Sequence, residues 1–235
     1  RRPEKLVKFI NAKAFCFALV LIAIVCGASF GQSITWQRTY DGRDGVADGG
    51  FAVCKADGDN FYICGTTTLL PNIRRVYVLK INQFGDTIWT RSIAIGPSEE
   101  EGYCRTAVST TDFSCVLTGI STNAFSIKIN QNGDIVWNKT YGLGGKQLYK
   151  IINVSDGGYI ACGRDYEDIN DNAFLLKIDS LGNLQWYKTF YSTYWKNFDC
   201  ITETNPNDGY LVGGFNINYQ SDTSKSFVLK VDQNG

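Results

Sequence analysis

The sequence of 235 residues contains no histidine and only four prolines, and its 23 basic side chains are balanced by 23 acidic ones. The absence of histidine excludes a Ser-His-Asp or Cys-His nucleophile system, a His-ligated metal and a haem with a proximal histidine. The absence of a basic excess argues against a nucleic-acid partner. What is present is 44% hydrophobic residues, 14% aromatic residues and 24 glycines. This composition predicts a globular domain with tight turns between aromatic-rich strands.

The N-terminal residues have the pattern of a secretory signal peptide. Five bases and one acid precede an uncharged run at 14–28, and the small residues Ser29 and Gly31 follow that run. A basic segment, an apolar segment and small residues before a cut are the parts of such a signal. We therefore predict that residues 1–31 are a signal peptide, cleaved after Gly31.

Three other interpretations of this segment are weaker. The uncharged run is shorter than the roughly 20 residues that a membrane anchor needs, the residues after Arg1-Arg2 do not fit a twin-arginine signal, and Cys26 lacks the small residue expected before a lipidated cysteine. Cleavage would leave residues 32–235 with a net charge of −4, which helps to keep an exported domain soluble. We expect a secreted or cell-surface protein, with the periplasm as another destination, and no membrane span after cleavage.

A period of about fifty residues runs through residues 32–235. A Lys-Ile/Val-Asp/Asn-x-x-Gly segment occurs four times, and three copies continue to a tryptophan at 89, 137 or 186. The segments begin at Lys80, Lys128, Lys177 and Lys230, and a glycine recurs upstream of each, at Gly65, Gly119, Gly163 and Gly214. The tail of the repeat also occurs once near the beginning, at 36–40. Repeats of this length indicate a fold assembled from similar units.

Each repeat predicts four short strands, which in the third repeat are 148–154, 159–164, 173–179 and 183–190. If a three-residue loop pairs Asp179 with Asn183, Leu176 lies opposite Trp186. The same count places Leu79 opposite Trp89 and Ile127 opposite Trp137. This register predicts that the tryptophans are packing plugs between neighbouring sheets.

Four-stranded units at this period are typical of a β-propeller, in which each blade packs against its neighbours. We predict an all-β propeller domain over residues 32–235, with four repeats visible. A fourth strand at 33–40 and a third strand at 226–232 would together complete one blade, which allows a closed four-bladed ring. Because the sequence stops on the turn residue Gly235, we expect instead a fragment of a larger propeller.

The repeats resemble those of a known family. Asp-Gly-Gly-Tyr at 156–159, then Gly163, then Lys-Ile-Asp-x-x-Gly-Asn-x-x-Trp from Lys177 resembles the repeats of secreted bacterial β-propeller proteins, over residues 32–235. The first and second repeats depart from the turn motif, at 58–61 and 112–115. Such proteins often carry a type IX secretion sorting domain and mostly lack an assigned activity, so the resemblance implies export and a binding or structural role. The Asp-x-x-Gly-x-x-x-Trp spacing is also distantly similar to the tryptophan-docking repeats of quinoproteins, which implies the fold and not the cofactor.

Candidate chemistry is sparse in this sequence. Two acidic loops, at 165–172 and around Asp41, Asp44 and Asp48, offer oxygen ligands for Ca²⁺. The first lacks the Gly and the late Glu of a Ca²⁺-binding helix-loop-helix, and short acidic loops are usually just solvated, so we expect no bound ion at either. The four recurring lysines predict a repeated salt bridge or a lysine stem packed on a ring. We assign no catalytic residue, metal site or cofactor.

Six cysteines remain after the predicted cleavage: Cys54, Cys64, Cys104, Cys115, Cys162 and Cys200. Export makes intramolecular disulfides an option, and six cysteines allow fifteen pairings. Cys64 and Cys162 occupy equivalent places in different repeats, too far apart to bond to each other. Free, buried cysteines that serve as small apolar residues are the alternative.

These patterns predict an exported, non-enzymatic binding or structural module. Its ligand would be a glycan or a protein held by loops at one end of the propeller, and the sequence identifies no ligand-binding residue. The alternative is an extracellular carbohydrate-active enzyme that uses paired Asp and Glu side chains in the propeller channel.

Overall fold

The computed structural model of the protein describes residues 35–41, 48–69, 73–96, 101–165, 172–206, 208–218 and 221–235. The predicted signal peptide lies outside these residues, and so do 42–47 and 166–171, which hold most of the two acidic loops. The chain divides into two compact units, Arg1–Gln37 and Arg38–Gly235. Of the first unit, residues 35–37 are described and form no strand.

The described residues of the second unit form fifteen strands and no helix, hence none that is long and apolar enough to cross a membrane. The first repeat contains β1 (Asp48–Lys55), β2 (Phe61–Leu69), β3 (Ile73–Ile81) and β4 (Thr87–Ile93). The second contains β5 (Gly102–Ser109), β6 (Cys115–Ser121), β7 (Asn123–Ile129) and β8 (Ile135–Gly144). The third contains β9 (Lys146–Asn153), β10 (Tyr159–Asp165), β11 (Asn172–Ile178) and β12 (Leu184–Phe190). The fourth contains β13 (Trp195–Glu203), β14 (Tyr210–Asn218) and β15 (Thr223–Val231).

Strands that follow one another within a repeat pair antiparallel, which confirms the predicted all-β class. The strands of the third repeat fall within two residues of their predicted positions. The sheets contain four, eight and three strands, because a single bridge between Ile120 and Gln147 joins the second repeat to the third. This pairing does not confirm a division into four separate four-stranded blades.

The strand predicted at 33–40 is not formed in the described part of that segment, because residues 35–41 have no strand pairing. Arg38 instead pairs with Asp86 at 3.3 Å, and the Tyr40 hydroxyl donates to the carbonyl of Gly85 at 2.8 Å. Side-chain contacts with the β3–β4 turn therefore hold residues 38–40.

The predicted register of the last hairpin is wrong by one residue in the first three repeats. The turn closes on Asp179 as predicted, but a bulge at Gln185 places Lys177, and not Leu176, opposite Trp186. The same irregularity pairs Lys80 with Trp89 and Lys128 with Trp137, where Leu79 and Ile127 were predicted. An extra residue in one strand shifts every later side chain to a different partner, and hydrophobic alternation alone does not reveal it.

The tryptophans nevertheless pack between repeats as predicted. The Trp89 indole N–H donates to the carbonyl of Gln131 at 3.1 Å, on the last turn of the next repeat. A Cβ placed on Gly182 would lie 2.9 Å from the Trp137 ring, and one on Gly235 would lie 2.9 Å from the Trp186 ring. Each ring therefore covers a turn glycine of the following repeat.

Apolar side chains fill the space between consecutive repeats. Three core clusters each draw on two repeats: one includes Ile95 and Phe125, one includes Phe174 and Val116, and one includes Leu175 and Phe198. Packing between sheets thus carries the burial of apolar area that drives this fold.

Candidate functional site

The first strand of every repeat carries a β-bulge at the same place. The unpaired residue is Phe51 in β1, Arg105 in β5, Tyr149 in β9 and Asp199 in β13. A bulge opposes two residues to one on the partner strand and turns a side chain in a new direction. Four equivalent positions therefore present four different side chains.

The recurring glycine of the second strand makes this bulge sterically feasible. A Cβ on Gly163 would lie 1.9 Å from the carbonyl oxygen of Gln147, and one on Gly214 would lie 1.9 Å from that of Asn197. The same approach occurs at Gly65 and Gly119, at 1.7 and 1.9 Å. Because those neighbours are backbone atoms, every other residue type would push the bulged strand away.

All four bulge residues line one cavity of about 430 Å³, together with Asn197 and Phe215. The cavity thus collects side chains from the first strand of every repeat. We call it the central cavity. It combines aromatic rings, one cation, one carboxylate and one amide.

Arg105 lies between two aromatic rings of the central cavity. Its guanidinium carbon is 5.5 Å from the centroid of the Phe51 ring and 5.7 Å from that of the Tyr149 ring. Within the described part of the chain, this guanidinium makes no hydrogen bond and no ion pair. Cation–π contacts hold the group while its N–H donors stay unused.

Asn197 and Asp199 form the polar part of the cavity. The Asn197 amide donates through Nδ2 to Asp199 Oδ1 at 2.7 Å. Asn197 is 5% exposed, and its buried Oδ1 has no hydrogen-bond partner among the residues that the structure describes. Partial desolvation raises the pKa of Asp199, and the Asn197 hydrogen bond opposes that rise.

Further aromatic groups stand beside these residues. The Tyr149 hydroxyl donates to Gln147 Oε1 at 2.7 Å, and the Trp195 ring lies 5.2 Å from that of Phe215. The guanidinium of Arg164 covers Trp195 at 5.1 Å. The cavity is thus bordered by ring faces.

A second cavity, of about 350 Å³, contains two carboxylates, Asp156 and Glu203. Asp156 accepts from Lys177 at 2.6 Å and from the Gly158 N–H at 2.8 Å. Glu203 accepts from the backbone and hydroxyl of Ser155 at 2.8 and 2.7 Å. Asp156 therefore holds a turn within the third repeat, and Glu203 ties the fourth repeat to that turn.

The four recurring lysines form a repeated salt bridge, which confirms that interpretation. Each pairs with an aspartate in the turn between the first two strands of its own repeat. Lys80 pairs with Asp57, Lys128 with Asp112 at 3.2 Å, Lys177 with Asp156 at 2.6 Å and Lys230 with Asp208 at 2.8 Å.

The six described cysteines are free in this structure. Cys64, Cys104, Cys115 and Cys162 are buried, as the apolar interpretation predicted, whereas Cys54 is half-buried and Cys200 is exposed. Of the acidic loops, Asp165 pairs with Lys146 at 2.9 Å, while 166–171 and Asp44 lie outside the described residues. No group of three or more Cys, Asp or Glu side chains within the described ranges is arranged to hold a metal ion.

Sequence reasoning missed the central cavity because its residues do not recur by type. A positional signal did exist: Phe51, Arg105 and Tyr149 each stand fourteen residues before the recurring glycine, and Asp199 stands fifteen before it. The nearly constant number of residues between each bulge residue and the recurring glycine is the signal that could have identified these positions.

Comparison with known proteins finds solved structures that resemble this chain only distantly. No family model matches the chain, and no curated protein matches it. One similar structure is a protein of unknown function from Bacteroides caccae, with 14% identity and a TM-score of 0.44 over 83% of this chain and 64% of that one. Another is a subtype N10 neuraminidase-like protein of A/little yellow-shouldered bat/Guatemala/060/2010, with 17% identity and a TM-score of 0.46 over 83% of this chain and 58% of that one. The chain spans less than two thirds of the length of either structure.

Proposed function

We propose that the protein is an exported β-propeller that acts as a binding module, with the central cavity as its ligand site. Four repeats that each contribute an equivalent bulge residue to one cavity support an arrangement of blades around a channel. The signal-peptide pattern of residues 1–31 supports export.

The observation that carries the binding role is the unsatisfied polar chemistry of the central cavity. The unpaired guanidinium of Arg105 suits a carboxylate of the ligand, since Arg binds such groups bidentately. The exposed Asp199 carboxylate suits ligand hydroxyls, since it accepts hydrogen bonds. The rings of Phe51 and Tyr149 suit the apolar face of a sugar. A glycan that carries a uronic acid has all three features.

Binding is favoured over glycoside hydrolysis by the carboxylates themselves. Hydrolysis generally uses a pair of them, and Asp199 is the one carboxylate among the described residues that line the central cavity. The two in the second cavity accept hydrogen bonds from Lys177 and Ser155. These hydrogen bonds support a structural role for both carboxylates.

The proposal is tested by calorimetric titration with oligogalacturonides and with the same oligosaccharides after reduction of their carboxyl groups. We expect the wild-type protein to bind the acidic form and to bind the reduced form at least about tenfold more weakly, because the charge-assisted hydrogen bonds to Arg105 are lost. Arg105→Ala should bind both forms with the same low affinity.

Lys150→Ala is the matched control, because Lys150 is the exposed cation beside Tyr149 on β9. It should bind as the wild type does. Wild-type affinity in Arg105→Ala, or equal affinity of the wild type for both oligosaccharide forms, would contradict the proposed site. Absence of binding to any acidic or neutral member of a glycan array would contradict a glycan ligand.

A further inference from the structure

Four cysteine side chains meet where the first repeat faces the second. Cys54 Sγ is 3.6 Å from Cys115 Sγ, and Cys64 Sγ is 3.8 Å from Cys115 Sγ. Cys104 is buried in the same core cluster as Cys64 and Cys115. Cys54 lies on β1 and Cys115 on β6, in two different sheets and 61 residues apart in sequence. We call these four residues the thiol cluster.

Access to solvent separates Cys54 from the rest of the thiol cluster. Cys54 is half-buried, whereas Cys64, Cys104 and Cys115 are fully buried. Hydrogen bonds from Cys115 and Cys64 lower the pKa of the Cys54 thiol. The hydrogen bond to Cys54 is the largest cause that raises the pKa of Cys115. Cys54 is therefore the thiol of the pair that loses its proton more readily, and a thiolate within reach of solvent is the reactive form of cysteine.

We propose that Cys54 is a thiol–disulfide modification site: a small-molecule disulfide oxidises it together with Cys115, and the product is a disulfide that links the first sheet to the second. The inference stands apart from the proposed ligand site, since it involves no residue of the central cavity.

The reaction proceeds in two exchanges. The Cys54 thiolate attacks one sulfur of the small disulfide, forms a mixed disulfide and releases one thiolate. Cys115 then loses its proton and attacks the Cys54 sulfur, which forms the Cys54–Cys115 bond and releases the second thiol. Two protein thiols are oxidised, and one small disulfide is reduced to two thiols. Once Cys54 is capped, the charge that raises the pKa of Cys115 is gone, which favours the second step.

Geometry favours Cys115 as the resolving residue. To form the disulfide, the two sulfurs have to close from the observed 3.6 Å to about 2.0 Å. Cys54 pairs with Tyr62 across the sheet while Cys64 pairs with Ala52, so the two cysteines are diagonal neighbours at about 7–8 Å between Cα atoms. That separation is at or beyond the usual disulfide range. Cys64 and Cys115 are farther apart than 3.6 Å, and neither has access to the oxidant.

The test treats the full chain with oxidised glutathione and maps its disulfides by mass spectrometry after tryptic digestion under non-reducing conditions. Trypsin places each cysteine of the thiol cluster on a separate peptide: 44–55, 56–74, 92–105 and 106–128. We expect a cross-link between peptides 44–55 and 106–128 that dithiothreitol reverses. Cys115→Ser should stop at a stable glutathione adduct on Cys54, and Cys54→Ser should leave Cys115 unmodified. Cys162→Ser should form the wild-type cross-link, and a glutathione adduct on the exposed Cys200 reports active oxidant in every sample.

A cross-link between peptides 56–74 and 106–128 in Cys54→Ser at the wild-type rate would overturn the proposal. So would a wild-type protein whose Cys54 stays unmodified or stops at the adduct.

The melting temperature provides a measurement that needs no variant. It should rise by roughly 5–15 °C on oxidation and return on reduction, because the new bond closes a long loop. An unchanged melting temperature would contradict a bond between the two sheets.

Discussion

Lys177 is a buried lysine with one carboxylate partner, so a single substitution of that partner should destabilise the fold. The Lys177 side chain is 2% exposed, and its ammonium group donates to Asp156 at 2.6 Å and to Gln185 Oε1 at 2.8 Å. The partner aspartate is itself partly in solvent. Loss of the aspartate's charge would leave an ammonium group in the interior that water cannot reach easily.

Asp156→Asn should therefore destabilise the protein. The amide keeps the acceptor for the Gly158 N–H but removes the counter-charge of Lys177. We expect the free energy of unfolding, measured by urea denaturation at pH 7, to fall by about 2 kcal/mol. Asp208→Asn is the matched control, because Lys230 is 53% exposed and loses little when its partner becomes neutral. Equal effects of the two substitutions would refute the importance of burial.

The bulged first strand and the glycine opposite it act as one element. Gly214 and Gly213 are neighbours on β14, yet they face different obstacles. A Cβ on Gly214 would meet the backbone oxygen of Asn197 at 1.9 Å, whereas one on Gly213 would meet the Cys200 sulfur at 2.7 Å. A side-chain sulfur can rotate away, but a strand backbone moves only with its sheet.

Gly214→Ala should lower the free energy of unfolding by at least about 3 kcal/mol, and Gly213→Ala by about 1 kcal/mol. Urea denaturation of both variants measures the difference. Because Asn197 lines the central cavity, Gly214→Ala should also weaken any ligand bound there. A Gly214→Ala variant as stable as Gly213→Ala would show that the bulge does not need glycine opposite it.

Much of each element was predictable from the sequence, but the irregularities were not. Alternation predicted the strands of the third repeat, and the lysine that recurs in every repeat predicted a salt bridge or a lysine stem packed on a ring, of which the structure shows the salt bridge. The bulge at Gln185 moved Trp186 opposite Lys177 because an extra residue leaves no trace in hydrophobic alternation. The thiol cluster was missed for another reason: equivalent positions were compared between repeats, whereas Cys54 and Cys115 meet from non-equivalent strands.

Across the whole molecule, the repeated salt bridge links stability to pH. The pKa of its aspartate is lowered in every repeat; for Asp57 and Asp208 the lysine hydrogen bond is the largest cause. For Asp112, burial raises the pKa, but hydrogen bonds from Thr110 and Lys128 outweigh it and bring the pKa to about 2. An unfolded aspartate has a pKa of about 3.9. A group with a lower pKa in the folded state contributes its full stability above the unfolded value and loses it as the pH falls through the folded value.

The stability that Asp112 contributes should therefore be present at pH 7 and vanish by about pH 2. Asp112→Asn should lower the free energy of unfolding by about 1 kcal/mol at pH 7, a value reduced for the solvent exposure of Asp112. Below the folded pKa of Asp112, the variant should be as stable as the wild type.

Asp199→Asn should change the stability in the opposite direction, because desolvation raises the pKa of Asp199 in the folded state. It should stabilise the protein at pH 7 and lose that advantage once the wild-type carboxyl group is protonated. Urea denaturation of the wild type and the two variants across pH 2 to 7 measures these differences. A difference in the free energy of unfolding between Asp112→Asn and the wild type that persists or grows towards pH 2 would contradict a charge effect.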